Sequence, residues 1–76
     1  MDRYITAEDG LQRDALEALV GAWPEPFDVT RLEYGTVPER IAALDVLRRD
    51  GLAEPGEGPV ARATAAARRA VHLQSR

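Results

Sequence analysis

The side chains of this chain that could do covalent or acid–base chemistry are few and poorly placed for it. Ser75 is the only serine, His72 is the only histidine, and there is no cysteine. Ser75 falls in a tail expected to fray, a poor place for a nucleophile. His72 lies in an alanine-rich helical stretch, where a surface or partly packed ring is the ordinary outcome and a general base or metal ligand the rare one. Without cysteine there is neither a disulfide nor a thiolate metal site. The acidic pairs Glu8/Asp9 and Asp45/Asp50 have no further ligands at metal spacing, and Glu8/Asp9 has a simpler use at a helix start. Gly56-Glu57-Gly58 is too short to cradle a phosphate and no Lys-Ser/Thr follows it, so it reads as a turn. Neither catalysis, a resident metal nor a cofactor is expected. What remains is the chemistry of arginine, which supplies every cation other than His72.

Ten arginines stand against thirteen carboxylates, giving a formal net charge of −3 and a pI near 5.0. That balance argues against a binder that relies on phosphate neutralisation alone. The distribution softens the objection, because residues 1–35 hold eight acidic groups against three arginines while residues 36–76 hold five against seven. After Glu57 come only Arg62, Arg68, Arg69, His72 and Arg76 as charged or titrating side chains. A basic C-terminal half could turn one face to DNA, and solvated arginines on an alanine-rich helix are the plain alternative. Hydrophobic content of 45% with 30% charged residues is globular composition. The 76 residues make one domain, 1–76, which buries only ~60 to 65% of its unfolded surface and is marginal alone. No run approaches the ~18 apolar residues of a membrane span, and the charged start lacks an apolar signal core, so a cytoplasmic protein with no membrane partner is expected.

Capping signals divide the chain into elements. Thr6 with Asp9 begins a first helix, about Ala7 to Ala22, whose Leu11, Ala15, Leu16, Leu19, Val20 and Trp23 form one apolar face. Pro24 and Pro26 stop it near Trp23 and force an extended passage to Phe27. Asp28 can cap a short second helix, Val29 to Tyr34, closed by Gly35. Thr36 and Glu39 have the spacing of a capping box, with Pro38 in the first turn where a missing N–H costs nothing. Val37, Ile41, Leu44 and Leu47 would then be the buried stripe of a third helix, with Glu39, Arg40, Ala43 and Asp50 largely off it and Gly51 as a left-handed cap. Leu52-Ala53-Glu54 and Val60-Ala61-Arg62-Ala63 can pair as a hairpin across residues 55–59. Thr64 caps a last helix, Ala65 to about Leu73, with a small-residue face of Ala66, Ala67, Ala70, Val71 and Leu73. The expected fold is mostly α with a short β-hairpin, and Leu16, Leu19, Leu32, Ile41, Leu44, Leu47 and Leu52 are its expected core. Trp23 and Phe27 are expected to plug that core between the first helix and the hairpin, and Tyr4 and Tyr34 to be half-buried.

Ala43-Leu44-x-x-Leu47-x-x-x-Gly51-Leu52 resembles the third helix of winged helix-turn-helix transcription regulators, and Val60-x-x-x-Thr64-x-Ala66-x-Arg68 the end of their wing. The resemblance covers nearly the whole chain and implies a small single-domain bacterial type: helix, short helix, recognition helix, two-stranded wing, C-terminal helix. It implies that the third helix enters the major groove of double-stranded DNA, so that Thr36, Glu39, Arg40 and Ala43 face bases or phosphates, with Arg40 the best donor for a guanine edge. It implies that Arg31 and Arg62 reach the DNA backbone, and that the regulator works as a homodimer because one module makes too few contacts. Glu39 is better used in its cap than beside phosphate, and Arg48 and Arg49 fall at the far end of the helix, where they complement its dipole. A second reading keeps the fold and changes the partner: an acidic protein-interaction module whose recognition-helix face meets a protein.

Overall fold

The computed structural model describes residues 7–74, with side-chain surroundings from Gly10 to His72. The expected Thr6 cap, Tyr4 and Ser75 lie outside the described residues, as does the side chain of Leu73.

Helix α1 spans Ala7–Ala22. Its last turn is closed by the Trp23 amide, which donates to the Leu19 and Val20 carbonyls at 3.1 and 3.2 Å, after which Pro24 and Pro26 offer no N–H to continue it. The chain then forms a two-residue strand, β1 (Phe27–Asp28), and a single 3-10 turn, Val29–Arg31. The second helix expected to reach Tyr34 is therefore one turn long. Asp28 does cap it: its Oδ1 accepts from the Thr30 amide at 2.9 Å and the Thr30 hydroxyl at 2.7 Å. Leu32 leaves the turn in an extended conformation and Gly35 takes φ +79, so the chain reverses before a second turn can form. At Gly35 the positive φ favours glycine, and a Cβ would lie 2.9 Å from the Leu11 Cδ2 methyl, which would have to shift.

Helix α2 spans Val37–Arg49 and opens with the full capping box: Thr36 Oγ1 accepts from the Glu39 amide at 3.2 Å, and Glu39 Oε1 from the Thr36 amide at 2.8 Å. It closes in a Schellman motif, with Leu52 N donating to Leu47 O at 2.8 Å and Gly51 N to Arg48 O at 3.1 Å, and with Gly51 at φ +79. The hairpin follows, but its pairing differs from expectation. Only Ala53 and Ala63 bridge across it, supported by Glu54 N to Arg62 O at 2.9 Å and Thr64 N to Leu52 O at 3.2 Å. Strand β2 (Val60–Ala61) pairs instead with β1, antiparallel, with Phe27 opposite Ala61 and Asp28 opposite Val60. The returning arm of the hairpin thus joins residues 27–28, far away in sequence, to the exit of α2. Thr64 caps α3 (Ala65–Gln74) by accepting from Ala67 N at 3.2 Å, and its own hydroxyl donates to Gly51 O at 2.7 Å, fastening the start of α3 to the end of α2.

The chain is therefore mostly helical with a small two-stranded antiparallel sheet, an arrangement compatible with a wing-like hairpin. Leu16, Leu19, Leu44 and Leu47 lie in the core as expected, whereas Leu32 and Leu52 are packed at its margin and Ile41 is half-buried outside it. The remainder is small: Val29 with Ala15, Ala53, Ala61, Ala63 and Ala67. Methyl-sized side chains let hairpin, turn and helices approach closely, and little apolar area is then available to hold them. Leu19 and Leu44, both fully buried, contribute ~1.5 to 3 kcal/mol each by transfer from water.

Candidate binding face

The exposed side of α2 is set by which of its residues turn inward. Those are Ala43, Leu44 and Leu47, buried, with Arg40, Ile41, Val46 and Arg48 half-buried around them. The positions 40, 43, 44, 47 and 48 form one continuous stripe at helical spacing. Of the expected stripe, Leu44 and Leu47 are buried and Ile41 is half-buried, while Val37 in the first turn is 47% exposed and Ala43, expected off the stripe, is 3% exposed. The stems of Arg40 and Arg48 cover the two ends of this inward side.

Ala43, expected to face bases, is 3% exposed and belongs to the interior. Arg40, expected to read a guanine edge, is directed at the chain itself. Its Nε donates to Tyr34 O at 2.9 Å and its Nη1 to Thr30 O at 2.8 Å. A one-turn helix leaves its last carbonyls without intrahelical donors, and the Arg40 guanidinium satisfies one of these and a carbonyl of the following loop. Thr36 and Glu39 are exposed but engaged with each other in the cap. Arg62 is exposed on the hairpin and pairs with Glu54 at 3.3 Å. Arg31 is exposed beside the Phe27 ring, 6.0 Å from its centroid. Of the six candidates, then, Ala43 is interior and Arg40, Thr36, Glu39 and Arg62 are engaged with partners in the chain itself.

Sequence reasoning missed Arg48. Expected to serve the helix dipole, its side chain is 8% exposed and holds the hairpin: Nη1 donates to Gly58 O at 3.1 Å and Nη2 to Val60 O at 3.0 Å, with Asp45 at 3.2 Å. Arg49 is the exposed neighbour that fits the dipole role. Trp23, expected in the core, is 41% exposed and lies under the Arg68 guanidinium at 3.7 Å from the ring centroid, a cation–π contact between α3 and the end of α1. Tyr34, expected half-buried, is 64% exposed. The spacing of arginines gave no sign that two would fold back onto carbonyls.

The outward surface at the start of α2 thus carries Tyr34, Val37, Pro38 and Ala42, with Asp45 further along. Residues 36–62 hold five carboxylates and four arginines, and among the described residues Arg49 is the one of those four without a protein partner. Beside this surface a shallow cleft of about 310 Å³ is lined by Asp14, Glu17, Arg31, Leu32, Glu33 and Tyr34. Hydrogen bonds from the Thr30 hydroxyl and amide, and the nearby Arg31 charge, hold the Asp28 carboxyl below its ordinary value of 3.8. Among the described residues no three metal-ligating side chains group together, and no helix is long and apolar enough to cross a membrane. No family model, no curated protein and no solved structure matches the chain.

Proposed function

We propose that the chain is a winged-helix-type binding domain whose α2 face docks a polypeptide. The order of elements supports the winged form: capped α2, Schellman exit, hairpin, and a returning strand that pairs with a strand ahead of α2. The observation that carries the polypeptide reading is the inward turn of Arg40. With that guanidinium on two carbonyls and Glu39 in its cap, the helix start presents Tyr34, Val37 and Pro38 rather than free charge. An apolar, aromatic-edged surface rimmed by Glu33 and Asp45 fits a polypeptide that presents an apolar side chain flanked by cations.

Duplex DNA is the second reading, favoured by the winged order itself and by Arg31, Arg49 and Arg62 at the surface. It requires a homodimer that sets two α2 helices about one DNA turn, ~34 Å, apart. A photo-crosslinking residue at Ala42, introduced in the source cells, separates the two. The expected product is a recurring polypeptide with basic flanks at the crosslinked segment. Nuclease-sensitive adducts, or crosslinks to polypeptides with no shared sequence character, overturn the proposal, and salt-dependent binding of random duplex with shifts confined to residues 36–62 establishes DNA in its place.

A further inference from the structure

We infer that Arg48 is a positioning residue that hangs the tip of the hairpin on α2, so that residues 55–58 form a unit able to loosen while the core stays folded. Three observations meet there. The tip has almost no attachment of its own. None of its side chains from Pro55 to Gly58 is buried, and Pro55 and the flanking Pro59 have no amide to donate. Among the described residues, no backbone–backbone hydrogen bond reaches residues 55–58; the nearest are Glu54 N to Arg62 O at the base and Val29 N to Pro59 O at 2.9 Å on the return.

Arg48 fills that gap. Its two charge-assisted bonds reach Gly58 O and Val60 O, one on each side of Pro59, and Asp45 holds the guanidinium from the helix side. The third observation is that this geometry leaves Arg48 Nε buried with no acceptor. A buried donor without a partner is costly, and a helix-end cation could avoid that cost by remaining in water as Arg49 does. Arg48 is held inward by the bonds to the hairpin. Arg40 and Arg48, two turns apart on one stripe, thus fasten α2 to the loops before and after it. This inference concerns the hairpin alone and stands whichever partner α2 meets.

The test is backbone 15N relaxation on the whole chain, comparing wild type with Arg48→Met, Arg48→Lys and Arg49→Met. In wild type, Gly56, Glu57 and Gly58 should have order parameters close to the ~0.85 of rigid backbone. Arg48→Met keeps the aliphatic stem and should lower them below ~0.6, with Leu44 and Leu47 unchanged. Arg48→Lys reaches one carbonyl at most and should fall between; it replaces the methionine variant if that one does not fold. Arg49→Met should match wild type. A tip as rigid in both Arg48 variants as in wild type, a loosening shared equally by α2, or the same loosening in Arg49→Met overturns the inference.

Discussion

Arg40 and Arg49 are both α2 arginines, and only their surroundings distinguish them. Arg40→Ala removes two charge-assisted bonds and leaves the half-buried Thr30 carbonyl without its donor, so it should destabilise the domain by about 1 to 2 kcal/mol. Arg49→Ala should stay within about 0.5 kcal/mol, as surface changes do. Urea unfolding of the two variants checks the contrast, and equal values would mean that Arg40 is solvated in solution. Asp28 gives a second prediction at this scale. Its carboxyl is held below the ordinary 3.8, chiefly by the Thr30 hydroxyl and then the Thr30 amide. A depressed folded-state value means that its stabilising effect is fully present above about pH 4 and is lost as pH falls through the folded-state value. Asp28→Asn should therefore flatten the acid limb of stability below pH ~4, measured as Tm against pH, and leave the dependence above pH ~5 unchanged.

Between elements, what could be read from the sequence was what is local. Thr36 with Glu39, Gly51, Asp28 and Thr64 each act on amides or carbonyls within a few residues, so their spacing alone located the ends of α2, the turn at Val29 and the start of α3. The pairing of Phe27–Asp28 with Val60–Ala61 depends on chain segments more than thirty residues apart, and no turn signal connects them. The first turn of α2 was misread for a related reason. Val37 is the more apolar residue and is left exposed, while Ala43 is buried and Arg40 and Arg48 turn back onto loop carbonyls. Two residues expected to face a duplex, Arg40 and Ala43, lie on that inward side. Gly35 shows how tightly the link into α2 is drawn. Gly35→Ala adds a Cβ against Leu11 at positive φ, and should lower stability by about 1 to 3 kcal/mol, more than an alanine at the open Gly21 position. Thermal unfolding of the two variants decides it, and a neutral Gly35→Ala would show that the link relaxes freely.

As a whole the molecule has a Cα radius of gyration of 11.7 Å, against about 11.4 Å for a compact chain of this length. It reaches that density with a core of four leucines, one valine and five alanines, which leaves few large side chains to carry its stability. Leu44→Ala should then cost ~2 to 5 kcal/mol, comparable with the entire stability of a small domain, and is expected to give a largely unfolded chain by circular dichroism at 37 °C. A cooperative transition above 50 °C in that variant would contradict the picture of a core centred on Leu44. The stacking of Arg68 on Trp23 has an optical consequence. Trp23 is the sole tryptophan and lies where α3 meets the end of α1, so the tryptophan fluorescence of the untouched protein, excited beyond tyrosine absorption, reports on that one seam. Acrylamide, being uncharged, reaches the indole only as far as the guanidinium leaves it open, and Arg68→Ala should raise the quenching constant while far-ultraviolet ellipticity holds steady. Equal quenching in both proteins would mean that the stack does not persist in water. A steeper quenching on warming, ahead of the main transition, would time the peeling of α3 with no label attached.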